Sequence, residues 1–240
     1  MICAHGARGG SPAAAAHAAA IAERDLFAEV RACCIEGRPG LAETLADLRA
    51  KTNLEDVRLV PFLMGAGHTA RRVLPRIVAE AAGEGLTIRP PVGTHAGLAA
   101  IVADLAVAAR RARDWTPAQC ALLLVAHGTP RHPGSAESAR AHARAIAAGG
   151  TFAEVAVAFL DQAPAPAEAV ARVAAPHLVA VGLFADHGVH GEDDVPRLLR
   201  AARANAVYAG PVGPAPAIAD LIVEQAGATY AVSQAQAASR

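Results

Sequence analysis

The sequence predicts an α/β protein built as two tandem, doubly wound parallel-sheet lobes. Three observations carry that prediction. Apolar runs of strand length, such as C-A-L-L-L-V-A (120–126) and H-L-V-A-V-G-L-F (177–184), have no polar alternation, as expected of strands covered on both faces. Helical stretches separate these runs, which is the order that lays strands parallel. The whole alternation also occurs twice. His5 in C-A-H-G-A-R and His127 in V-A-H-G-T-P-R stand 122 positions apart, and so do His68 and His190. Between them F-A-E-V (27–30) recurs at 152–155, and P-V-G (91–93) recurs at 211–213. A repeat this long means two related domains, because solenoid units run ~20–50 residues.

In the first half the pattern predicts a strand over 2–4 ending at His5, a helix over 12–24 and a strand over 30–35. A helix over 41–50, a strand over 57–64, a helix over 70–83, a strand over 86–90 and a helix over 96–111 follow. In the second half the apolar run 120–126 is a strand and the Ala-rich stretch from Ser135 to Ala148 a helix. Strands over 155–160, 177–184 and 207–210 then alternate with helices near 166–173, after Asp194, and from about Pro216 to Gln225. The predicted domains are 1–112 and 118–228. The polar segment R-A-R-D-W-T-P-A-Q (111–119), with the only Trp, links them, and 229–240 reads as a flexible tail.

Composition narrows the classes of function. Apolar residues make up 53% and charged residues 18%, enough for a core and unlike a disordered chain. A formal net charge of +0 gives no electrostatic case for nucleic acid or an anionic membrane. Lys51 is the only lysine, so local positive sites are arginines. No apolar stretch nears the ~20 residues of a membrane span, and no basic region precedes the first apolar run. Cys3, Cys33, Cys34 and Cys120 form no C-x-x-C pair and lie in apolar runs, which reads as buried thiols in a reducing cytoplasm.

The histidines point to chemistry. His5 and His127 end the first strand of each half, each followed by a glycine. His68 and His190 follow the third strand. Functional groups of parallel sheets gather outside the carboxyl ends of strands, so residues 63 apart within a half can share one rim. Asp186, His187, Glu192, Asp193 and Asp194 surround His190, and His132 follows His127. Imidazole and carboxylate suit Co²⁺, Fe²⁺, Ni²⁺ or Zn²⁺. Where the second half has acids, the first has Arg71 and Arg72, so one side can hold a cation while the other attracts an anion. Glu36 and Asp161, matched at the end of the second strand, are suited to assist a metal or to cap a helix. No H-E-x-x-H, Walker loop or G-x-S-x-G occurs, and G-A-R-G-G-S (6–11) lacks the Gly-Lys-Ser/Thr ending of a phosphate loop.

The segments 122–133, 155–170, 179–196 and 211–221 resemble successive motifs of the class II chelatases. The closest branch is the sirohydrochlorin cobaltochelatase/ferrochelatase (CbiX/SirB-like) family in its two-lobe form. The resemblance implies chelatase-like lobes with the active site in the cleft between them. It implies insertion of Co²⁺, or Fe²⁺, into the tetrapyrrole sirohydrochlorin for cobalamin or siroheme. The histidines after strands one and three would bind the ion, accept pyrrole protons, or do both. Those roles fall on His127 and His190, with Asp194 as a further metal ligand, and on His5 and His68. The family's usual Ser after His-Gly is replaced here by Ala7 and Thr129. The first half also lacks a counterpart to Asp194, which favours the second lobe. Imidazole, with a pKa near ~6.5, can ligate or take a proton at neutral pH. Sirohydrochlorin is a polycarboxylate, so Arg8, Arg71, Arg72 and Arg131 are the expected substrate-binding residues, with Arg38 beside them. The expectation is thus a cytoplasmic lyase, monomer or weak dimer, with no permanently bound cofactor and Co²⁺, Fe²⁺ or Ni²⁺ as substrate. A metal or tetrapyrrole carrier is the alternative.

Overall fold

A computed structural model describes residues 1–6, 9–83, 85–129, 134–188 and 190–237, apart from the side chains of 135, 190 and 228–237. The first half places β1 (Ile2–Ala4), α1 (Pro12–Ala22), β2 (Ala32–Cys34), α2 (Leu41–Arg49), β3 (Arg58–Phe62), α3 (Leu74–Ala82), β4 (Thr87–Ile88) and α4 (Leu98–Arg111). The second places β5 (Cys120–Ala126), α5 (Gly134–Ala148), β6 (Glu154–Phe159), α6 (Pro166–Ala171), β7 (His177–Gly182), α7 (Val195–Ala202), β8 (Val207–Pro211) and α8 (Ile218–Ala237). The two sheets have the same parallel order, β2-β1-β3-β4 and β6-β5-β7-β8.

Local chemistry starts several of these helices. Ser11 caps α1, its Oγ accepting from Ala14 N at 3.3 Å, and Pro12 occupies the first turn, where its missing N–H costs nothing. Glu43 in the first turn of α2 and Arg49 in its last complement the helix dipole. Every residue of β5 is buried, which explains its unbroken apolar run. Leu123, Val125, Ala180, Val195 and Leu199 share the core on one face of the second sheet. Leu41, Leu45, Leu59, Leu74 and Val78 do the same for the first.

The compact units do not follow the sequence halves. One consists of Met1–Leu63, Thr69–His95 and the chain from Pro216; the other of Met64–His68 and Ala96–Ala215. Helix α4 therefore packs on β7, β8 and α5, whereas α8 packs on β3 and α1. Each half supplies the other half's sheet with a covering helix. Salt bridges and hydrogen bonds fix α8 in its unit: Arg24 to Asp220 at 2.6 Å, His95 to Glu224 at 3.2 Å, and Arg89 Nε to the Gln225 carbonyl at 2.6 Å. The stretch read as a tail begins inside α8, which continues to Ala237; 238–240 lie outside the described residues. The segment read as a linker is packed in place, with Trp115 stacked on His177 at 4.2 Å and Thr116 capped by Gln119.

All four cysteines are buried, and burial pushes the Cys120 thiol pKa up. Among the described residues no helix is long and apolar enough to cross a membrane.

Candidate functional site

Strand order locates the site. The chain leaves β5 toward β6 on one side and returns to β7 on the other, so the carboxyl ends of β5 and β7 form the switch point at which open α/β sheets bind ligands. The first sheet has the same switch at β1 and β3. His127 and His190 follow β5 and β7, and His5 and His68 follow β1 and β3.

At the end of β5 the backbone is stitched to the end of β6. The His127 carbonyl accepts from Leu160 N at 3.0 Å and Asp161 N at 2.9 Å, and Thr129 N donates to Gln162 Oε1 at 2.8 Å. Gly128 turns the chain at φ +72°, and a Cβ there would stand 2.7 Å from Gln162 Cγ. The matching loop repeats this: Glu36 N donates to the His5 carbonyl at 2.8 Å, and Gly6 turns at φ +84° with its missing Cβ 2.0 Å from the Glu36 carbonyl. Only glycine fits either turn.

This stitching brings side chains together. His127 Nδ1 lies 3.0 Å from Asp161 Oδ2 and 3.2 Å from the Gly128 carbonyl, and both side chains are about half exposed. The Asp161 carboxylate and the Gly128 carbonyl are both acceptors, so in the neutral imidazole Nδ1 carries the proton and Nε2 the lone pair. A carboxylate behind an imidazole is the arrangement that orients its ring and fixes its tautomer toward a metal or a proton. In the first half His5 and Glu36 are exposed, and among the described residues no ion pair links them.

Beyond β7, Leu183 N donates to the Val125 carbonyl at 2.7 Å and Gly213 N to the Phe184 carbonyl at 2.9 Å. A Cβ on Gly213 would stand 2.1 Å from the Ala185 carbonyl, which explains the glycine of the second P-V-G. Gly93 N bonds the Leu63 carbonyl in the matching way, at 2.9 Å. A wide π-helical turn then opens α7 over His190–Asp194, and another opens α3 over Thr69–Val73. Such turns recur at functional sites. The His190 backbone begins its turn, while its side chain is outside the described residues, as are Arg8, Arg131 and His132. His187 Nδ1 lies 3.4 Å from Glu192 Oε1, and Asp194 Oδ1 lies 3.3 Å from the Arg197 guanidinium. His68, Arg71 and Arg72 are exposed. His68 belongs to the segment Met64–His68, which groups with the second compact unit, whereas His5 belongs to the first. Among the described residues no group of three or more His, Cys, Asp or Glu side chains is gathered as a metal site.

Three features escaped the sequence reading. Gln162 pins the His127 loop; its only signal was a polar residue after Asp161. His17 and His142, both buried, stand 125 apart like F-A-E-V, so the repeat itself marked them. His17 meets Phe62 edge-on, with ring centres 5.4 Å apart. Arg140 lies over the ring of Phe159.

The chain is 30% identical to a solved structure described as CbiX, the terminal enzyme for biosynthesis of siroheme in denitrifying bacteria, over 95% of this chain and 97% of that one, with a TM-score of 0.79. It is 27% identical to a probable sirohydrochlorin cobaltochelatase of Halobacterium salinarum, over 94% of this chain and 89% of that protein. SirB from Bacillus subtilis with Fe³⁺ has the same fold, at a TM-score of 0.80 and 15% identity over 98% and 96% of the two chains. The family model named CbiX matches residues 1–109 and again 121–229. Both halves thus carry one family unit, and the chain belongs to the CbiX family.

Proposed function

We propose that this chain inserts a divalent metal ion into sirohydrochlorin, with Co²⁺ the first candidate and Fe²⁺ the second, on the route to cobalamin or siroheme. The observation that carries the reading is the His127–Asp161 pair at the switch point of a CbiX-family sheet. Metallation must remove two pyrrole N–H protons while the ion sheds water. The Nε2 lone pair of His127 suits either task, as ligand or as proton acceptor, and Asp161 stabilises the imidazolium that proton transfer would form. His190, on the neighbouring loop, is the second imidazole of the lobe, and His5 and His68 are the corresponding pair of the repeat. Asp194, whose Oδ1 lies 3.3 Å from the Arg197 guanidinium, is the further metal ligand of the lobe through its remaining acceptor sites. Arg8, Arg71, Arg72 and Arg131 are assigned to the carboxylates of the macrocycle. The metal is a substrate rather than a resident cofactor, and the protein works in the cytoplasm as a monomer or weak dimer without nucleic acid or membrane.

The test is metallation itself. Purified protein with sirohydrochlorin and Co²⁺ should give the metallated ring's absorbance faster than the uncatalysed rate, over many turnovers. A stoichiometric change without turnover would make the protein a carrier. His127→Ala combined with His190→Ala should abolish turnover in a folded protein; undiminished turnover would move the site to His5 and His68.

A further inference from the structure

Arg140 lies on α5, with its guanidinium 5.2 Å from the centre of the Phe159 ring. Phe159 ends β6 and is fully buried. Its side chain also abuts the turn after His127: a Cβ on Gly128 would stand 2.8 Å from Phe159 Cβ and 3.0 Å from Cδ1. One ring therefore links the His127 loop to the Arg140 cation. Helical side chains lean toward the helix N-terminus, and the N-terminus of α5 follows the loop that leaves β5. Arg140 thus reaches toward the rim that carries His127 and Asp161. It is exposed, and among the described residues no carboxylate pairs with it. A ring face orients a guanidinium without neutralising it.

The internal repeat provides a control. His17 and Ile21 correspond to His142 and Ile146, which places Ala15 opposite Arg140, and Cys34 corresponds to Phe159. The first half keeps the His-Gly turn and an acid at Glu36 but lacks both the ring and the cation. Ring and cation are present together in one half and absent together in the other, although the backbone beneath them repeats. The fold therefore does not require them.

We propose that Arg140 binds a peripheral carboxylate of the tetrapyrrole and thereby draws the macrocycle to the second lobe, making that lobe the one that receives it. This rests on the chelatase reading above. A guanidinium fork matches a carboxylate with two parallel hydrogen bonds, and the Phe159 ring holds the fork in place before substrate arrives. The contact serves binding rather than proton removal, so it acts on KM and not on kcat.

Fluorescence titration of metal-free sirohydrochlorin, alongside steady-state metallation, tests the assignment with Arg140→Gln, Arg140→Lys and the same-helix control Arg144→Gln. Arg140→Gln should raise Kd and KM for sirohydrochlorin roughly tenfold or more, the scale of a charge-assisted hydrogen bond. Its kcat at saturating tetrapyrrole and its Co²⁺ affinity should stay within about twofold. Arg140→Lys should fall between, and Arg144→Gln should match the parent. Added salt should weaken tetrapyrrole binding by the parent more than by Arg140→Gln. If the parent binds sirohydrochlorin and Arg140→Gln, with an unchanged melting temperature, binds it equally well, the Arg140 assignment is overturned while the chelatase reading stands. If the parent neither binds nor metallates sirohydrochlorin, the chelatase reading itself fails.

Discussion

Histidine is followed by glycine at both rims because the turn has no room for a side chain. At Gly128 a methyl would meet Gln162 and Phe159, and the backbone is in the left-handed region. Gly128→Ala should therefore destabilise the protein by about 2–4 kcal/mol, as overpacking adds to backbone strain, read as a lowered midpoint in urea. The neighbouring Asp161 acts through His127. Asp161→Asn keeps the shape but can present its amide N–H₂ to Nδ1, which would shift the imidazole proton to Nε2 and remove the lone pair there. We expect kcat for metallation to fall roughly 10–100-fold, the usual scale for a carboxylate behind a metal-binding imidazole. The sirohydrochlorin Kd should change little, unlike the result expected for Arg140→Gln. These residue-level requirements were partly legible beforehand. The repeated His-Gly step and the acid at 36 and 161 stand in the sequence, but whether Asp161 serves a metal, a helix end or His127 depends on a 3.0 Å approach across two loops.

The elements formed where the apolar pattern placed them, because strand-length apolar runs and longer helical stretches answer to local rules. The openings of α3 and α7 did not follow this logic. Both begin with a π-helical turn just before a proline, Pro75 and Pro196, whose missing N–H cannot close an α-helical bond. Sequence periodicity at 3.6 residues does not register such a local widening. Helix α2 makes a prediction at this scale. Lys51 and Arg31 hold the Asp47 carboxyl below the usual carboxylate range, and all three lie around the C-terminal half of α2 and β2. A folded-state pKa below the unfolded one contributes stability that is present above the unfolded pKa and is lost as pH falls through the folded value. Asp47→Asn should therefore lower the melting temperature slightly at neutral pH, and the difference from the parent should vanish on acidification past that carboxyl's titration.

Across the whole molecule, the exchange of covering helices has the largest consequence. A fragment 1–112 keeps α4, which packs on the second sheet, and lacks α8, which covers the first. It should therefore expose the surface that Ile218, Leu221 and Ile222 bury in the full chain. We expect fragments 1–112 and 118–228, each made alone, to lack the sharp thermal transition of the full chain and to aggregate or self-associate on gel filtration. A monomeric, cooperatively melting 1–112 would show that α8 is dispensable to its sheet. The sequence by itself determined the alternation of strands and helices, the duplication, and which residues stand at the carboxyl ends of the strands. Those follow from burial patterns along the chain and from a repeat visible in the residues. Only the tertiary structure decided which sheet each final helix covers, that Nδ1 of His127 faces Asp161, and that Arg140 rests on Phe159. An apolar helix face reads the same whichever sheet it meets, and contacts between residues far apart in sequence leave no period to detect.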